Sequence, residues 1–191
     1  RNRSDLDPLI KDADAVVHLA ACVGVGQSAY DIAKYTDINV TGTAVLLESI
    51  DAVNPELKKL IVAGSMSSYG EGLYREPSLS MAVEVPVRSE SQLMERDWSV
   101  YWNEKTCEPM PTPESKSFDC QSMYALTKRD QEEMALLFGS QRKISVFVPR
   151  FFNVYGPRQS LGNPYTGVAA IFSSRISAGK APLIYEDGNQ S

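Results

Sequence analysis

The chain has 191 residues, 43% of them hydrophobic, which is enough to bury one ordinary core and too little for two independent large domains. A net charge of -5 leaves no broad basic face for a nucleic-acid backbone or an anionic bilayer, so neither partner is expected and any phosphate must be held by local groups. Cys22, Cys107 and Cys120 form an odd, unpatterned set that fits a reducing cytoplasm, and with His18 as the only histidine no metal site is expected.

The opening Arg1-Asn2-Arg3-Ser4-Asp5 is polar and lacks an initiating Met, so it reads neither as a signal peptide nor as a natural start. The longest apolar run, Ala13 to Val25, is broken by Asp14 and His18 and is too short to cross a bilayer. Within it, Ala15 to Ala21 is a β-branched run with almost no alternation, the pattern of a parallel strand covered on both faces. Gly24-Val25-Gly26-Gln27-Ser28-Ala29 follows and fits a phosphate-cradling G-x-G-x-x-A turn. The carboxylate expected about 20 residues on is missing, because Glu48 sits inside a helical pattern. That helix covers Val40 to Ile50, with Val45 and Leu46 on its apolar stripe.

A second strand is predicted at Lys59 to Ala63, a long helix at Gln121 to Phe138 and a third strand at Ile144 to Val148. Strand and helix alternating at this spacing imply right-handed βαβ crossovers and a doubly wound parallel sheet. Glu71 to Phe118 is rich in Pro, Ser and Glu and reads as an insertion, either a surface excursion or a lid over a substrate. Pro157 to Ser191 reads as a loop with turns at Asn163-Pro164 and Asp187-Gly188, a helix near Val168 to Ala178 and a short strand at Leu183-Ile184-Tyr185.

Tyr124-Ala125-Leu126-Thr127-Lys128 carries the first chemistry. An i, i+4 pair lies on one helical face, and a cation beside a phenol favours phenolate, the form that acts as a base. Ser65 lies just past the carboxyl end of the second predicted strand, where open α/β sheets place their ligands, and its hydroxyl could orient a substrate alcohol.

These residues stand in a recognisable order. His18-Leu19-Ala20-Ala21, Asn39-Val40-Thr41-Gly42-Thr43, Ser65 to Gly70, Tyr124-x-x-x-Lys128 and Pro149 to Arg158 together resemble the extended short-chain dehydrogenases/reductases, specifically the nucleotide-sugar epimerase/dehydratase branch that includes UDP-glucose 4-epimerase. The resemblance implies a partial Rossmann-like, NAD-binding α/β domain over residues 1–156, with the insertion at about 71–118 and the start of a substrate-binding region over 157–191. It assigns the catalytic triad to Ser65, Tyr124 and Lys128. Leu19, Ala20, Ala21, Asn39, Tyr124, Lys128 and Phe151 would contact NAD, and Ser65, Met66, Ser67, Asn153 and Tyr185 the substrate. In that family the pyrophosphate loop belongs to the first strand, whereas His18-Leu19-Ala20-Ala21 ends the fourth. Gly24 and Gly26 then become a loop beside the substrate, and the phosphate loop itself is expected to be lacking.

The implied reaction is C4 epimerisation of a UDP- or TDP-linked hexose through a transient 4-keto sugar. A dehydratase of the same branch uses an Asp-Glu pair after the triad hydroxyl, where this chain has Met66 and Ser67, neither of which is a carboxyl group. A non-catalytic nucleotide-sugar-binding protein and a dehydratase or reductase of the family stay open as alternatives. The resemblance further implies a homodimer.

Overall fold

The computed structural model describes residues 2–79, 81–159 and 167–188. In chain order it contains α1 (Arg3–Ile10), β1 (Ala15–His18), the short helices α2 (Val25–Ser28) and α3 (Ile32–Tyr35), and a π-turn (Thr36–Thr41) running into α4 (Gly42–Val53). Next come β2 (Lys59–Val62), β3 (Gly64–Ser65), a 3-10 turn (Met66–Tyr69), β4 (Leu73–Arg75), β5 (Ala82–Val83) and α5 (Glu90–Met94). The remainder is β6 (Tyr101–Trp102), β7 (Lys105–Thr106), β8 (Glu108–Met110), α6 (Met123–Arg142), β9 (Ser145–Phe147), β10 (Arg150–Phe151) and α7 (Val168–Ser177). Two compact units result, one formed by Arg1–Ser68 with Cys120–Val154, the other by Tyr69–Asp119 with Tyr155–Ser191.

In the first unit the three β-branched runs pair in parallel, in the order β1-β2-β9, with Val16 opposite Leu60 and Leu60 opposite Val146. Beyond them β3 pairs in parallel with β10, setting Phe151 opposite Ser65. The core gathers Ile10 of α1, Leu46, Leu47 and Ile50 of α4, Leu60 and Val62 of β2, and Ala135 of α6. Asn54, just past α4, ties that helix to α1 by donating to the carbonyls of Ile10 and Ala13, both at 2.9 Å.

Three expectations are corrected. In β1 and β9, unlike in β2, one face is left uncovered. Burial alternates along β1 and β9, leaving Val17 56% and Phe147 63% exposed, because the core helices gather on the opposite face. Leu183-Ile184-Tyr185 is not a strand; all three side chains are exposed and no described strand pairs with them, and β-propensity alone does not hold a strand without a ladder. The polar opening segment forms α1, which the sequence pattern did not predict, with Pro8 inside it. The turn expected at Asn163-Pro164 and the chain end 189–191 lie outside the described residues.

In the second unit the stretch read as an insertion carries short antiparallel strands. β4 pairs with β5 and β8, and β6 with β7 forms a hairpin. Asp97 organises the approach to that hairpin, accepting from Ser99 N at 3.0 Å and from the Tyr101 hydroxyl at 2.9 Å.

Gly139 in α6 lies close against the Ile144–Val146 segment. A Cβ there would run into Val146 Cγ2 and meet the Ile144 carbonyl at 2.9 Å. Alanine favours a helix over glycine by about 1 kcal/mol, but overpacking against a branched side chain and a backbone oxygen costs roughly 1–3 kcal/mol, so the steric cost prevails. Gly139→Ala is expected to lower the urea midpoint of unfolding, and an unchanged or higher midpoint would show that β9 yields freely.

Candidate active site

The start of α6 is fixed by two hydroxyls. Ser122 caps it by accepting from Ala125 N at 3.0 Å, and Ser28, at the end of α2, accepts from Tyr124 N at 3.0 Å while donating to Val25 O at 2.6 Å. The backbone of Tyr124 is thereby docked to the segment that follows β1, satisfying donors a helix N-terminus otherwise leaves unpaired. Its half-buried ring stands edge-on to Tyr35, with centroids 6.4 Å apart and planes at 84°, and Tyr35 is fully buried with its hydroxyl 3.3 Å from Gln27 Oε1.

One turn further, Lys128 is 4% exposed, and burial pushes its ammonium down to about 8. It donates to Gln131 Oε1 at 2.7 Å, its single hydrogen-bond partner among the described residues. Gln131 Nε2 lies 2.7 Å from Thr43 Oγ1, which also lies 2.9 Å from His18 Nε2 and donates to the Asn39 carbonyl at 2.6 Å. Burial, and secondarily the charge of Lys128, hold His18 below the ordinary histidine range.

Asn39 has no exposed surface. Its Oδ1 accepts from Cys22 N at 2.7 Å, and its Nδ2 donates to Cys22 O at 3.1 Å and to Thr127 Oγ1 at 3.0 Å. Asn39, expected among the cofactor contacts, thus engages the Cys22 backbone and Thr127 on α6.

Ser65 is 6% exposed, at the end of β3, and its Oγ accepts from Ser67 N at 3.2 Å. β3 packs against α6, so the strand bearing Ser65 adjoins the helix bearing Tyr124 and Lys128. β10 is fastened to the same helix: Arg150 donates to Glu132 through Nε at 3.0 Å and Nη2 at 2.7 Å, a buried, forked ion pair. Beside this assembly Leu19 is 65% exposed, Ala20 and Phe151 are exposed and Ala21 is half-buried. Met66 and Ser67 are half-buried, Asn153 is exposed, and Tyr185 is exposed in the second unit.

The Gly24 to Ala29 segment does not make a phosphate-cradling turn. It begins six residues after β1, α2 has only four residues, and a Cβ on Gly26 would meet nothing within 4 Å, so no close backbone approach demands glycine there. Instead Val25, Gly26 and Ala29 of the segment line a cleft of about 590 Å³ with Met123 and Leu126, beside the first turn of α6. Sequence reasoning missed Ser28, Thr43, Thr127 and Gln131. A signal existed for two of them, since Thr43 is four residues from Asn39 and Gln131 three from Lys128, spacings that share a helical face.

The model of the NAD dependent epimerase/dehydratase family matches residues 1–92 and 99–191. The chain belongs to this family. It is 31% identical over 191 residues to a dTDP-L-rhamnose 4-epimerase of Burkholderia thailandensis, an alignment that covers 96% of this chain and 50% of that protein. Among solved structures it resembles a UDP-N-acetylglucosamine 4-epimerase from Methanobrevibacter ruminantium, with TM-score 0.73, 30% identity, and coverage of 97% of this chain and 48% of that one. A UDP-glucuronic acid 4-epimerase from Bacillus cereus, solved with UDP-glucuronic acid and NAD, matches with TM-score 0.64 and 26% identity, over 100% of this chain and 48% of that one. The chain thus spans about half the length of the relatives it matches. Among the described residues no cluster of three or more His, Cys, Asp or Glu could hold a metal, and no helix is long and apolar enough to cross a membrane.

Burial of Lys128 sets a pH dependence of stability. From about pH 8 up to the ordinary lysine value of 10.5, the unfolded chain binds a proton that the folded chain does not, so raising the pH favours the fold. The gain across that window is on the order of 3 kcal/mol. Urea unfolding at stepped pH should show the rise in the wild type and its loss in Lys128→Met, and equal slopes in the two would contradict a buried ammonium.

Proposed function

We propose that this chain carries the catalytic face of an NAD-dependent nucleotide-sugar 4-epimerase acting on a UDP- or TDP-linked hexose. The observation that carries the reading is the fastening of a phenol and a buried ammonium to one helix that packs on the strand bearing Ser65. Family membership supports the reaction class, and the matched relatives named above are 4-epimerases of nucleotide sugars.

The residues present fit the cofactor. Gln131 takes one of the three N–H bonds of Lys128, leaving two for the hydroxyls of a ribose. Exposed Leu19, Ala20 and Phe151 supply apolar surface for a nicotinamide ring and its ribose. When bound, NAD supplies the hydride acceptor and, on return, the hydride donor.

In this reading Tyr124 takes the proton of the C4 hydroxyl as the carbon is oxidised and returns it when the 4-keto sugar is reduced on its other face. Ser65 Oγ, held by Ser67 N, donates to the reacting oxygen. Lys128 binds the ribose and keeps a positive charge on the same helix, one turn from Tyr124. Met66 and Ser67 line the sugar site without a carboxyl group for water elimination, which favours epimerisation over dehydration. Asn153 would meet the diphosphate, and Tyr185 in the second unit is assigned to the substrate by resemblance. Residues 1–156 would form the partial NAD-binding domain and 157–191 the start of the substrate region; a homodimer in the cytoplasm is the matching assembly and location.

Tyr124→Phe removes the acidic hydroxyl and keeps the ring packed on Tyr35. It should lower kcat for interconversion of UDP- or TDP-hexoses by about 100- to 10,000-fold while leaving the thermal midpoint within a few degrees. Turnover that survives this substitution would end the reading. A wild type that binds a nucleotide sugar but converts none would favour the binding-protein alternative.

A further inference from the structure

The hydrogen atoms of the buried cluster behind Lys128 can be assigned from its heavy atoms. The Asn39 carbonyl can only accept, so at 2.6 Å the Thr43 hydroxyl must donate to it. Thr43 Oγ1 then has only lone pairs to offer, and both groups approaching it, Gln131 Nε2 at 2.7 Å and His18 Nε2 at 2.9 Å, must be donors. His18 is therefore the Nε2–H tautomer or doubly protonated, and the 3.3 Å separation between Gln131 Nε2 and His18 Nε2 is a contact of two donors, not a hydrogen bond. A flipped Gln131 amide would set an N–H against the Lys128 ammonium and an oxygen against a hydroxyl with no proton left. One orientation survives, with the carboxamide oxygen aimed at Lys128 Nζ.

We propose that Gln131 is a positioning residue for Lys128: Thr43 locks its carboxamide so that a neutral oxygen fixes the ammonium in place without neutralising its charge. Gln131 is 1% exposed and Thr43 is fully buried, so water does not substitute for either partner. The neutrality of the acceptor matters for chemistry, because a carboxylate in the same place would absorb the field that Lys128 exerts on a neighbouring phenol or ribose. The catalytic meaning rests on the reading proposed above; the structural claim does not.

The surroundings leave Gln131 in control of this amine. Of the elements packed against α6, the flanking helices, the π-turn and β2 bring the charged residues Lys34, Asp37, Glu48, Asp51 and Lys59, all solvent-exposed. α3 also brings Tyr35, which faces Tyr124. Glu132 on α6 itself is engaged by Arg150, and His18 from β1 is the titratable group coupled to Lys128.

The test is a ¹³Cε-lysine NMR titration of the purified protein without added cofactor, comparing wild type with Gln131→Met and Gln131→Glu. Loss of the acceptor should move the Lys128 midpoint down by about one pH unit or more, and a carboxylate should move it up by about as much. Midpoints within about 0.3 pH unit of the wild type in both variants would overturn the proposal. Should Gln131→Met fail to fold, Gln131→Glu and Thr43→Val carry the test, Thr43→Val freeing the amide and lowering the midpoint. If these shifts occur but the wild type converts no nucleotide sugar, the positioning role stands and the functional reading falls.

Discussion

Burying an ammonium is the constraint around which the first unit is built. A charged amine removed from water is costly unless other groups replace its hydration, and Lys128 is 4% exposed with no carboxylate partner among the described residues. The replacement comes from residues far apart in sequence. Gln131 accepts from the amine, Thr43 and His18 stand behind Gln131, and Asn39 joins the π-turn to the Cys22 backbone and to Thr127 on α6. These contacts link β1, the π-turn with α4, and α6 through buried polar groups that satisfy one another, so local rearrangement at any one of them exposes the others to an unmet hydrogen bond.

That cluster also accounts for what could be read from the sequence. The strands around Val16, Leu60 and Val146 and the long helix through Tyr124 announced themselves because β-branched runs and a 3.6-residue apolar stripe are local signals. Ser65, Tyr124 and Lys128 were picked out by order and spacing, and the fold packs the strand bearing the first against the helix bearing the other two. The Gln131, Thr43 and His18 contacts were not legible, since they span sequence separations of up to 113 residues and only the tertiary fold unites them. Asn39 was singled out within its motif, but its bonds to the Cys22 backbone and to Thr127 come only with the tertiary fold. α1 escaped notice because Pro8 and a polar first turn mask its pattern, although Leu6 and Ile10 reach the core.

The second unit obeys different physics. Its strands are two or three residues long, and its buried apolar residues are few, Val83 and Cys107 among them. Polar contacts do much of the holding: Gln92 donates to the carbonyls of Asp97 and Ser99, and Lys116 donates to Tyr69 O at 2.8 Å. A composition rich in Pro, Ser and Glu signals such a segment as a loop, because side-chain to backbone bonds have no periodicity. Arg88 forks onto Glu186 at 3.0 and 3.3 Å, beside a cavity of about 420 Å³ bordered by Tyr74 and Trp98, so residues at opposite ends of the unit's sequence meet there.

Gln131 and Glu132 are neighbours on α6, both almost fully buried and each facing a cation, yet they solve the problem in opposite ways. Glu132 meets Arg150 with a full negative charge in a forked pair, the arrangement suited to pinning a strand to a helix, since little field escapes a matched pair. Gln131 meets Lys128 with a dipole. A dipole holds the amine but leaves its positive field open, at a cost in stability that the depressed proton affinity of Lys128 registers. Selection for stability alone would favour either a carboxylate at position 131 or an apolar residue at position 128. A neutral acceptor beside a buried cation makes physical sense when the charge is needed by something that arrives later, one helical turn away, where Tyr124 presents its phenol.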